Sequence, residues 1–192
     1  MKVYVNTSKK LAYLPVTKNA SMTFASLFDQ LGWASSQFDL LPEDYTVFSH
    51  IRDPIDRHFK GTAEFILQSS LGYLIDNPAW QKVWATAVMD IHSYPVTWSL
   101  GKKADSIHWI PIHNELDTNK ITIDFLKQYD IFIDSITNIN EGIPKRTEFY
   151  NRLIEVHKKL DAADTLTYFY DADIVLWNKV FNKYFNDPKY KL

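Results

Sequence analysis

Twice along the chain, a β-rich run leads through a short polar segment straight into an amphipathic helix. Residues 10–16 favour a strand, and apolar side chains recur at helical spacing over residues 21–33. Residues 45–51 favour a second strand, after which Asp53 and Pro54 form a typical helix start. Strands that alternate with helices predict an α/β fold with a parallel sheet.

The rest of the chain continues this pattern and contains no internal repeat. Residues 93–117 include prolines and a glycine and are predicted to form a loop. Further elements are predicted as strands over residues 2–5 and 130–136, and as helices from Asn77 to about His92, over 145–160 and over 167–185.

Composition narrows the functional classes. The 192 residues, 46% of them hydrophobic, predict one domain over residues 1–192. The net charge of −2, without long runs of like charge, disfavours a nucleic-acid partner. There is no Cys, and the six His form no HxH or HxxxH pair, so neither disulfides nor a metal site are expected. Polar residues interrupt the apolar runs near the N-terminus, so we expect a soluble cytoplasmic protein without a membrane anchor.

The first strand–helix junction has the layout of a phosphate-binding loop. It contains Lys18, followed by Asn19, Ala20 and the hydroxyls of Ser21 and Thr23. The N–H groups at a helix start and the helix dipole both favour an anion there. The junction lacks the GxxxxGK[ST] pattern of a Walker A loop. The alternative interpretation is a plain junction at which Ser21 caps the helix.

The second junction places Arg52 at the tip of its strand and Lys60 two turns into the following helix. Two cations near one helix start favour a phosphate, and each charge-assisted contact contributes about 1.5–3 kcal/mol. The alternative is a surface Arg52 that pairs with Asp56 at the start of its own helix.

Together, the two junctions resemble the nucleotide-binding motifs of the sulfotransferases, especially the carbohydrate sulfotransferases. Residues 18–24 match the family pattern K-x-[AG]-[ST]-[ST]-[ST]-[FW] except at Met22. Residues 52–60 match R-[DN]-P-x-x-R-x-x-S except at Lys60. Weaker similarities follow in the same order: residues 108–111 resemble an HWxP segment, and residues 169–177 resemble the closing helix. The resemblance spans residues from about 10 to 185.

This resemblance implies a P-loop-like three-layer fold with a central, mainly parallel sheet flanked by helices. It also implies transfer of a sulfuryl group from 3′-phosphoadenosine 5′-phosphosulfate (PAPS) to a hydroxyl acceptor, a carbohydrate or small molecule, leaving 3′-phosphoadenosine 5′-phosphate (PAP). The phosphosulfate end would be held by Lys18 and by the loop residues Asn19, Ala20, Ser21, Met22 and Thr23. Arg52 and Lys60 would hold the 3′-phosphate.

A transferase of this kind needs a base for the acceptor hydroxyl, and two histidines are candidates. His50 lies near the tip of the strand that carries Arg52, and His108 opens the HWxP-like segment. A histidine within a strand is also commonly a core residue. His58, His113 and His157 are predicted to be solvated.

Two other functions stay open from the sequence. A P-loop-type kinase of nucleotides or small molecules would need a Mg²⁺-binding Asp at a strand tip, for which Asp39 is a loose candidate. A non-catalytic nucleotide or glycan binder would need no base. For the acceptor wall, Trp98 and Trp109 are candidate sugar-stacking residues, whereas Trp80 and Trp84 favour the core.

Overall fold

The computed structural model describes residues 1–137, 144–160 and 163–192, and the chain forms two compact units. The sheet unit comprises Met1–Arg52, Lys102–Asn140 and Trp177–Leu192. The helical unit comprises Asp53–Gly101 and Glu141–Leu176. The prediction of one domain over residues 1–192 stays a prediction. No described helix is both long and apolar enough to cross a lipid bilayer.

The sheet unit is built on a five-stranded sheet in the order β3-β1-β2-β4-β5. β4 pairs in parallel with both β2 and β5, whereas β1 pairs antiparallel with both β2 and β3. The predicted α/β class is confirmed, but the sheet is mixed rather than mainly parallel. The strands are β1 (Lys2–Asn6), β2 (Leu11–Tyr13), β3 (Ala34–Gln37), β4 (Thr46–Arg52) and β5 (His108–Ile112).

The described residues form seven α-helices and four short 3₁₀ helices. The α-helices are α1 (Ser21–Gln30), α2 (Pro54–Gln68), α3 (Pro78–Thr86), α4 (Val96–Leu100), α5 (Thr118–Lys127), α6 (Pro144–Leu160) and α7 (Ala163–Phe185). The 3₁₀ helices are Phe38–Leu40, Gly72–Leu74, Gly101–Ser106 and Pro188–Tyr190.

Aromatic side chains form much of the core of the sheet unit. The ring of Phe48 on β4 lies 5.4 Å from that of Tyr13 on β2 and 4.9 Å from that of Phe125 on α5. Because alternate residues of a strand share a face, His50 and Arg52 lie on the same face of β4 as Phe48. This face of the sheet therefore carries two of the predicted site residues.

The helical unit has its own core, and its first helix begins as the sequence predicts. Asp53 caps α2: its Oδ1 accepts hydrogen bonds from the N–H groups of Ile55 (2.9 Å) and Asp56 (2.8 Å), and Pro54 is the first helical residue. The core behind α2 is apolar and draws on α2, α3, α6 and α7; its buried members are Phe59, Ala63, Ile66, Ile75, Trp84, Phe149, Leu153, Leu166 and Tyr170.

A buried ion pair crosses the helical unit. A guanidinium nitrogen of Arg57 on α2 lies 3.4 Å from a carboxylate oxygen of Asp173 on α7, and both side chains are at least 97% buried. Arg57 also donates to the carbonyl of Tyr94. Asp173 accepts from the N–H groups of Val96 (2.6 Å) and Thr97 (2.9 Å) and from the Thr97 hydroxyl (2.6 Å). Hydrogen bonds thus surround both buried charges.

The prediction of a buried strand over residues 130–136 is wrong. The N–H of Ile131 donates to the carbonyl of Leu126 (3.2 Å), and Asp130 takes a left-handed φ of 56°. These features end α5, so the apolar residues that follow turn away instead of joining the sheet. Phe132 is consequently 73% exposed.

The sequence does not predict two of the strands, and both lie at sheet edges. β3 is polar because it pairs with β1 alone in the described sheet, and its side chains are mostly exposed. β5 lies within the predicted loop 93–117 and contains Pro111, which lacks an N–H. An edge strand tolerates Pro because one of its sides makes no ladder hydrogen bonds.

The helix predicted to reach His92 ends at Thr86. Side chains further along bond to nearby backbone instead. The Ser93 hydroxyl accepts from the N–H of Met89 (3.1 Å), and the Asp90 carboxylate accepts from the N–H of His92 (2.9 Å). Local bonds of this kind compete with helical ones and stop the helix.

The buried pair gives a prediction about stability. Arg57→Leu should lower the free energy of unfolding by about 3–5 kcal/mol, because it leaves the Asp173 charge buried without its partner. Arg152→Leu is the matched control, since Arg152 pairs with Asp76 at the surface (2.7 Å) and such pairs contribute about 0–1 kcal/mol. Urea unfolding measures both variants, and equal losses would contradict a special role for the buried pair.

Candidate functional site

The loop between β2 and α1 has an unusual backbone. Lys18 (φ 63°) and Ala20 (φ 54°) are left-handed although neither is glycine, and Asn19 between them has a negative φ. Backbone of this kind can turn neighbouring N–H groups toward one side, which suits an anion. The N–H of Asn19 itself donates to the carbonyl of Val16 (3.1 Å). Non-glycine residues in this conformation cost of order 1–3 kcal/mol each, and such strain tends to occur at functional sites.

The start of α1 opens from this loop without a side-chain cap. The N-cap residue is Ala20, whose methyl group accepts no hydrogen bond, and Ser21 is already the first helical residue. The predicted cap by Ser21 is therefore wrong, while the alternative of a plain junction stays open. A helix start that lacks its own cap leaves N–H groups for another acceptor, and an anion is the favoured one.

Asn19 is the most unusual side chain of the loop. It is fully buried, and neither its Oδ1 nor its Nδ2 has a hydrogen-bond partner among the described residues. An unsatisfied buried polar group costs about 1–3 kcal/mol. The sequence identified Asn19 only for its backbone; nothing in the local pattern indicates that the side chain is buried.

The other loop residues differ in how exposed they are. Lys18 and Ser21 are half-buried, Thr23 is buried, and Met22 is 63% exposed. Met22, where the chain departs from the family pattern, thus points toward solvent, so only its backbone is suited to a ligand in the loop.

Arg52 ends β4 at the same edge of the sheet as the loop. β2 and β4 run in parallel with Tyr13 opposite Phe48, so the loop after β2 and the end of β4 both leave the carboxyl edge. In open α/β sheets ligands bind outside this edge. Arg52 is half-buried, which leaves part of its side chain accessible.

Lys60 belongs to the helical unit and has a protein partner there. Its Nζ lies 2.8 Å from a carboxylate oxygen of Asp56, one turn earlier in α2, and 5.4 Å from the centre of the Tyr150 ring. The Tyr150 hydroxyl donates to the same carboxylate (2.6 Å). To hold a phosphate, Lys60 would have to share its charge with Asp56.

His50 is fully buried between aromatic neighbours at the carboxyl end of β4. Its ring stacks on Phe24 of α1 with the ring centres 3.5 Å apart. Thr122 donates its hydroxyl proton to the carbonyl of Thr118 (2.8 Å), so its oxygen accepts from His50 Nε2 (3.0 Å). His50 therefore carries its proton on Nε2, and Nδ1 has no hydrogen-bond partner in the described chain.

Burial also sets the charge of His50. It lowers the pKa to about 3, so the ring is neutral at pH 7. A group with so low a pKa is a weak base at neutral pH, because general bases work best when their pKa lies near the operating pH.

His108 lies at the amino end of β5, the strand at one side of the sheet. It is the first residue of β5 and stands opposite Phe48, while Arg52 stands opposite Ile112 at the other end of the same pairing. Along β5, His108 therefore lies four residues from Ile112, the partner of Arg52, which is about 13 Å at 3.3 Å per residue. Its Nε2 lies 3.1 Å from the Tyr184 hydroxyl, and burial lowers its pKa to about 4. The register thus places His108 level with Tyr13, the last residue of β2, and four residues before the level of Arg52.

The remaining histidines differ from the predicted pattern at one position. His58, predicted to be solvated, is fully buried: its Nε2 donates to the carbonyl of Trp84 (3.2 Å), and its Nδ1 lies 3.1 Å from the Tyr170 hydroxyl. His113 and His157 are half-buried. The prediction for His58 fails because the apolar stripe of α2 includes its neighbour Phe59 and extends around to His58.

The tryptophans also separate by burial. Trp84 is buried, as predicted, and Trp109 is buried with its Nε1 donating to the carbonyl of Ala104 (2.8 Å). Trp80 is 39% exposed, and Trp98 is 58% exposed. Of the two candidate sugar-stacking residues, only Trp98 presents its ring to solvent.

Comparisons with known proteins found no matching family model, no matching curated protein and no matching solved structure.

The strained loop gives a prediction about stability. Ala20→Gly should raise the free energy of unfolding by about 0.5–1 kcal/mol, because glycine adopts φ 54° without strain. Ala25→Gly in the middle of α1 is the matched control and should lower it by about the same amount. Urea unfolding tests both, and a loss for Ala20→Gly as large as for Ala25→Gly would contradict the left-handed loop.

The buried histidines give a prediction about pH. Their pKa values are about 3 for His50 and about 4 for His58 in the folded chain, against about 6.5 when unfolded. Between pH 6.5 and pH 5 the unfolded state therefore binds more protons, and stability falls as the pH falls. Each histidine contributes up to about 1.4 kcal/mol per pH unit.

His50→Gln tests this assignment, since Gln does not titrate. The slope of unfolding free energy against pH, measured by urea unfolding over pH 5–6.5, should decrease by one histidine's share. An unchanged slope would show that His50 is not buried in its neutral form.

Proposed function

We propose that this chain is a sulfotransferase that uses PAPS and transfers its sulfuryl group to a hydroxyl. The observation that carries the proposal is the loop of Lys18, Asn19 and Ala20, a strained non-glycine loop at the uncapped start of α1. It lies at the carboxyl edge of two parallel strands, one of which ends in Arg52. The left-handed loop thus coincides with the residues that resemble the sulfotransferase motifs, which supports the proposal.

The residues of the loop fit the anionic end of such a cofactor. Backbone N–H groups suit phosphate and sulfate oxygens, and Lys18 adds a positive charge. The buried amide of Asn19 offers both a donor and an acceptor without a partner in the described chain. When bound, the cofactor supplies an activated sulfuryl group.

Lys18 is the group that we assign to the transfer itself. Sulfuryl transfer resembles phosphoryl transfer, in which the protein mainly positions groups and neutralises charge on the leaving oxygen. A cation beside that oxygen interacts more strongly with the transition state than with the bound cofactor. Lys18 therefore contributes to turnover more than to affinity.

Arg52 is assigned to the remote 3′-phosphate. The charge of that group does not change during transfer, so Arg52 contributes to binding more than to turnover. Lys60 belongs to the other unit, where Asp56 already neutralises part of its charge, and we assign it no contact with the cofactor. We assign His50 a packing role, in which its ring stacks on Phe24, rather than a role in proton transfer.

The parallel part of the sheet suits a P-loop-like architecture. β2, β4 and β5 are neighbours and run in one direction, and the phosphate-binding loop follows β2 as it would in that fold. The antiparallel β1 and β3 extend the sheet at one side and leave the carboxyl edge of β2 and β4 unchanged.

Calorimetry with PAP tests the cofactor assignment, with AMP and ATP as comparison ligands. PAP should bind at least tenfold more tightly than AMP, since Arg52 adds a contact that AMP lacks. Tighter binding of ATP than of PAP would instead support the kinase.

Arg52→Ala should weaken the binding of PAP by about 10–150-fold, which corresponds to about 1.5–3 kcal/mol. Arg152→Ala is the control and should leave the affinity for PAP unchanged.

The same variants separate binding from turnover. Lys18→Ala should lower sulfuryl transfer to a panel of sugars and small alcohols by about 10²–10³ with little change in PAP affinity. Lys82→Ala, which removes an exposed cation on α3, is the control. If Lys18→Ala and Arg52→Ala change affinity and turnover alike, the two loops do not hold opposite ends of the cofactor.

A further inference from the structure

A histidine and a carboxylate form a close pair in the segment between α3 and α4. The Nδ1 atom of His92 lies 2.6 Å from Oδ2 of Asp90, and both side chains are partly exposed. Because an ionised carboxylate accepts hydrogen bonds but donates none, Nδ1 carries the ring proton and donates it to Asp90. The neutral ring of His92 therefore has its lone pair on Nε2.

The Nε2 atom of His92 is the open end of this pair. It has no hydrogen-bond partner among the described residues and is not one of their buried unpaired atoms, so it faces solvent. A carboxylate that holds the proton on one ring nitrogen leaves the other nitrogen with a lone pair, which prepares a histidine to act as a nucleophile or a base. The pair thus has the arrangement of a reactive imidazole.

The surrounding backbone holds the pair in place. Oδ1 of Asp90 accepts from the N–H of His92 (2.9 Å), so both carboxylate oxygens are engaged. The Ser93 hydroxyl donates to the carbonyl of Asp90 (3.1 Å) and accepts from the N–H of Met89 (3.1 Å). A Cβ at Gly61 of α2 would clash with the carbonyl oxygen of His92, so only glycine allows this close approach. The ring of His92 is therefore presented in a fixed orientation.

The other partly exposed histidines have different partners. His113 Nδ1 accepts from the N–H of Glu115 (3.2 Å), so the ring proton of neutral His113 lies on Nε2. The Glu115 carboxylate is 3.9 Å from His113 Nδ1, too far for a hydrogen bond. His157 Nδ1 lies 3.3 Å from the carbonyl of Ala85, which is an uncharged acceptor. Among the described histidines, only His92 combines a carboxylate partner with an open Nε2.

We propose that His92 is a nucleophilic imidazole that takes up an acyl group from a neutral donor at Nε2. In this step Nε2 bonds to the carbonyl carbon, the bond from that carbon to the leaving oxygen breaks, and the Nδ1 proton ends on the leaving group. The ring becomes positive while the new bond forms, and the Asp90 carboxylate stabilises that charge. The same carboxylate repels an anionic donor, so a neutral one is favoured. This proposal does not depend on the proposed function.

Reaction of the full chain with diethyl pyrocarbonate, a neutral acylating reagent, tests the proposal, with peptide mass spectrometry measuring the rate at each histidine. His92 should react faster than His113, although 34% of the His113 side chain is exposed against 21% for His92. Exposure alone would give the opposite order. The buried His50 and His58 should stay unmodified in the folded chain.

Asp90→Asn tests the role of the carboxylate. Asn has a single side-chain oxygen, so it cannot accept from both the N–H and the Nδ1–H of His92. If its amide nitrogen faces the ring, Nδ1 becomes the acceptor and the ring proton moves to Nε2. The rate at His92 should fall by about tenfold or more, as for the loss of a partner that orients a histidine. The rates at His113 and His157 are the internal controls and should not change.

Three results would overturn the proposal. The first is a His92 that reacts no faster than His113 in the unaltered chain, a comparison that needs no variant. The second is nitrogen NMR of the unaltered chain that places the ring proton of His92 on Nε2. The third is an Asp90→Asn variant whose rates change equally at His92, His113 and His157, since that would show a loosened fold rather than a lost partner. None of these results depends on whether the chain binds PAP.

Discussion

The parallel pairing of β4 with β2 and β5 fixes the position of the candidate site. Because β2 and β4 run in the same direction, the loop after β2 and Arg52 at the end of β4 leave the same edge of the sheet. The next residue, Asp53, caps α2 and starts the helical unit. The direction of one strand thus brings the loop after β2 and Arg52 to the same edge of the sheet. If β4 were reversed, the loop and Arg52 would lie at opposite edges.

The match between sequence and structure is best where local chemistry decides the conformation. The strand–loop–helix order at both junctions and the Asp53-Pro54 helix start follow from local propensity and capping, and the structure has them. The edge strands β3 and β5 do not follow from any local pattern, since polar residues and Pro111 are accepted there only because of neighbouring strands. The apolar run 130–136 alternates like a strand, but the end of α5 directs it away from the sheet.

For the site, residue types were predictable and their environments were not. Lys18 and Arg52 were identified from their position after a strand, which is a local property. The left-handed φ angles of Lys18 and Ala20 and the burial of the Asn19 side chain arise from how the loop packs. The separation of His108 from Arg52 along the strands depends on the register of β5 against β4, and a five-residue strand with a proline carries no sequence signal for its register.

The two arginines of the second junction show why a motif position does not by itself assign a role. Arg57 shares the family pattern with Arg52, yet it is buried and fully engaged with Asp173 and Tyr94. Through Asp173, its charge supports the short helix α4. The buried charges of Arg57 and Asp173 both have hydrogen-bond partners. The loop at Lys18 instead has left-handed backbone at non-glycine residues and an Asn19 amide without a partner in the described chain. Departures from local rules are expected at functional sites and satisfied networks at supporting ones. The contrast therefore supports the loop, rather than Arg57, as the candidate site.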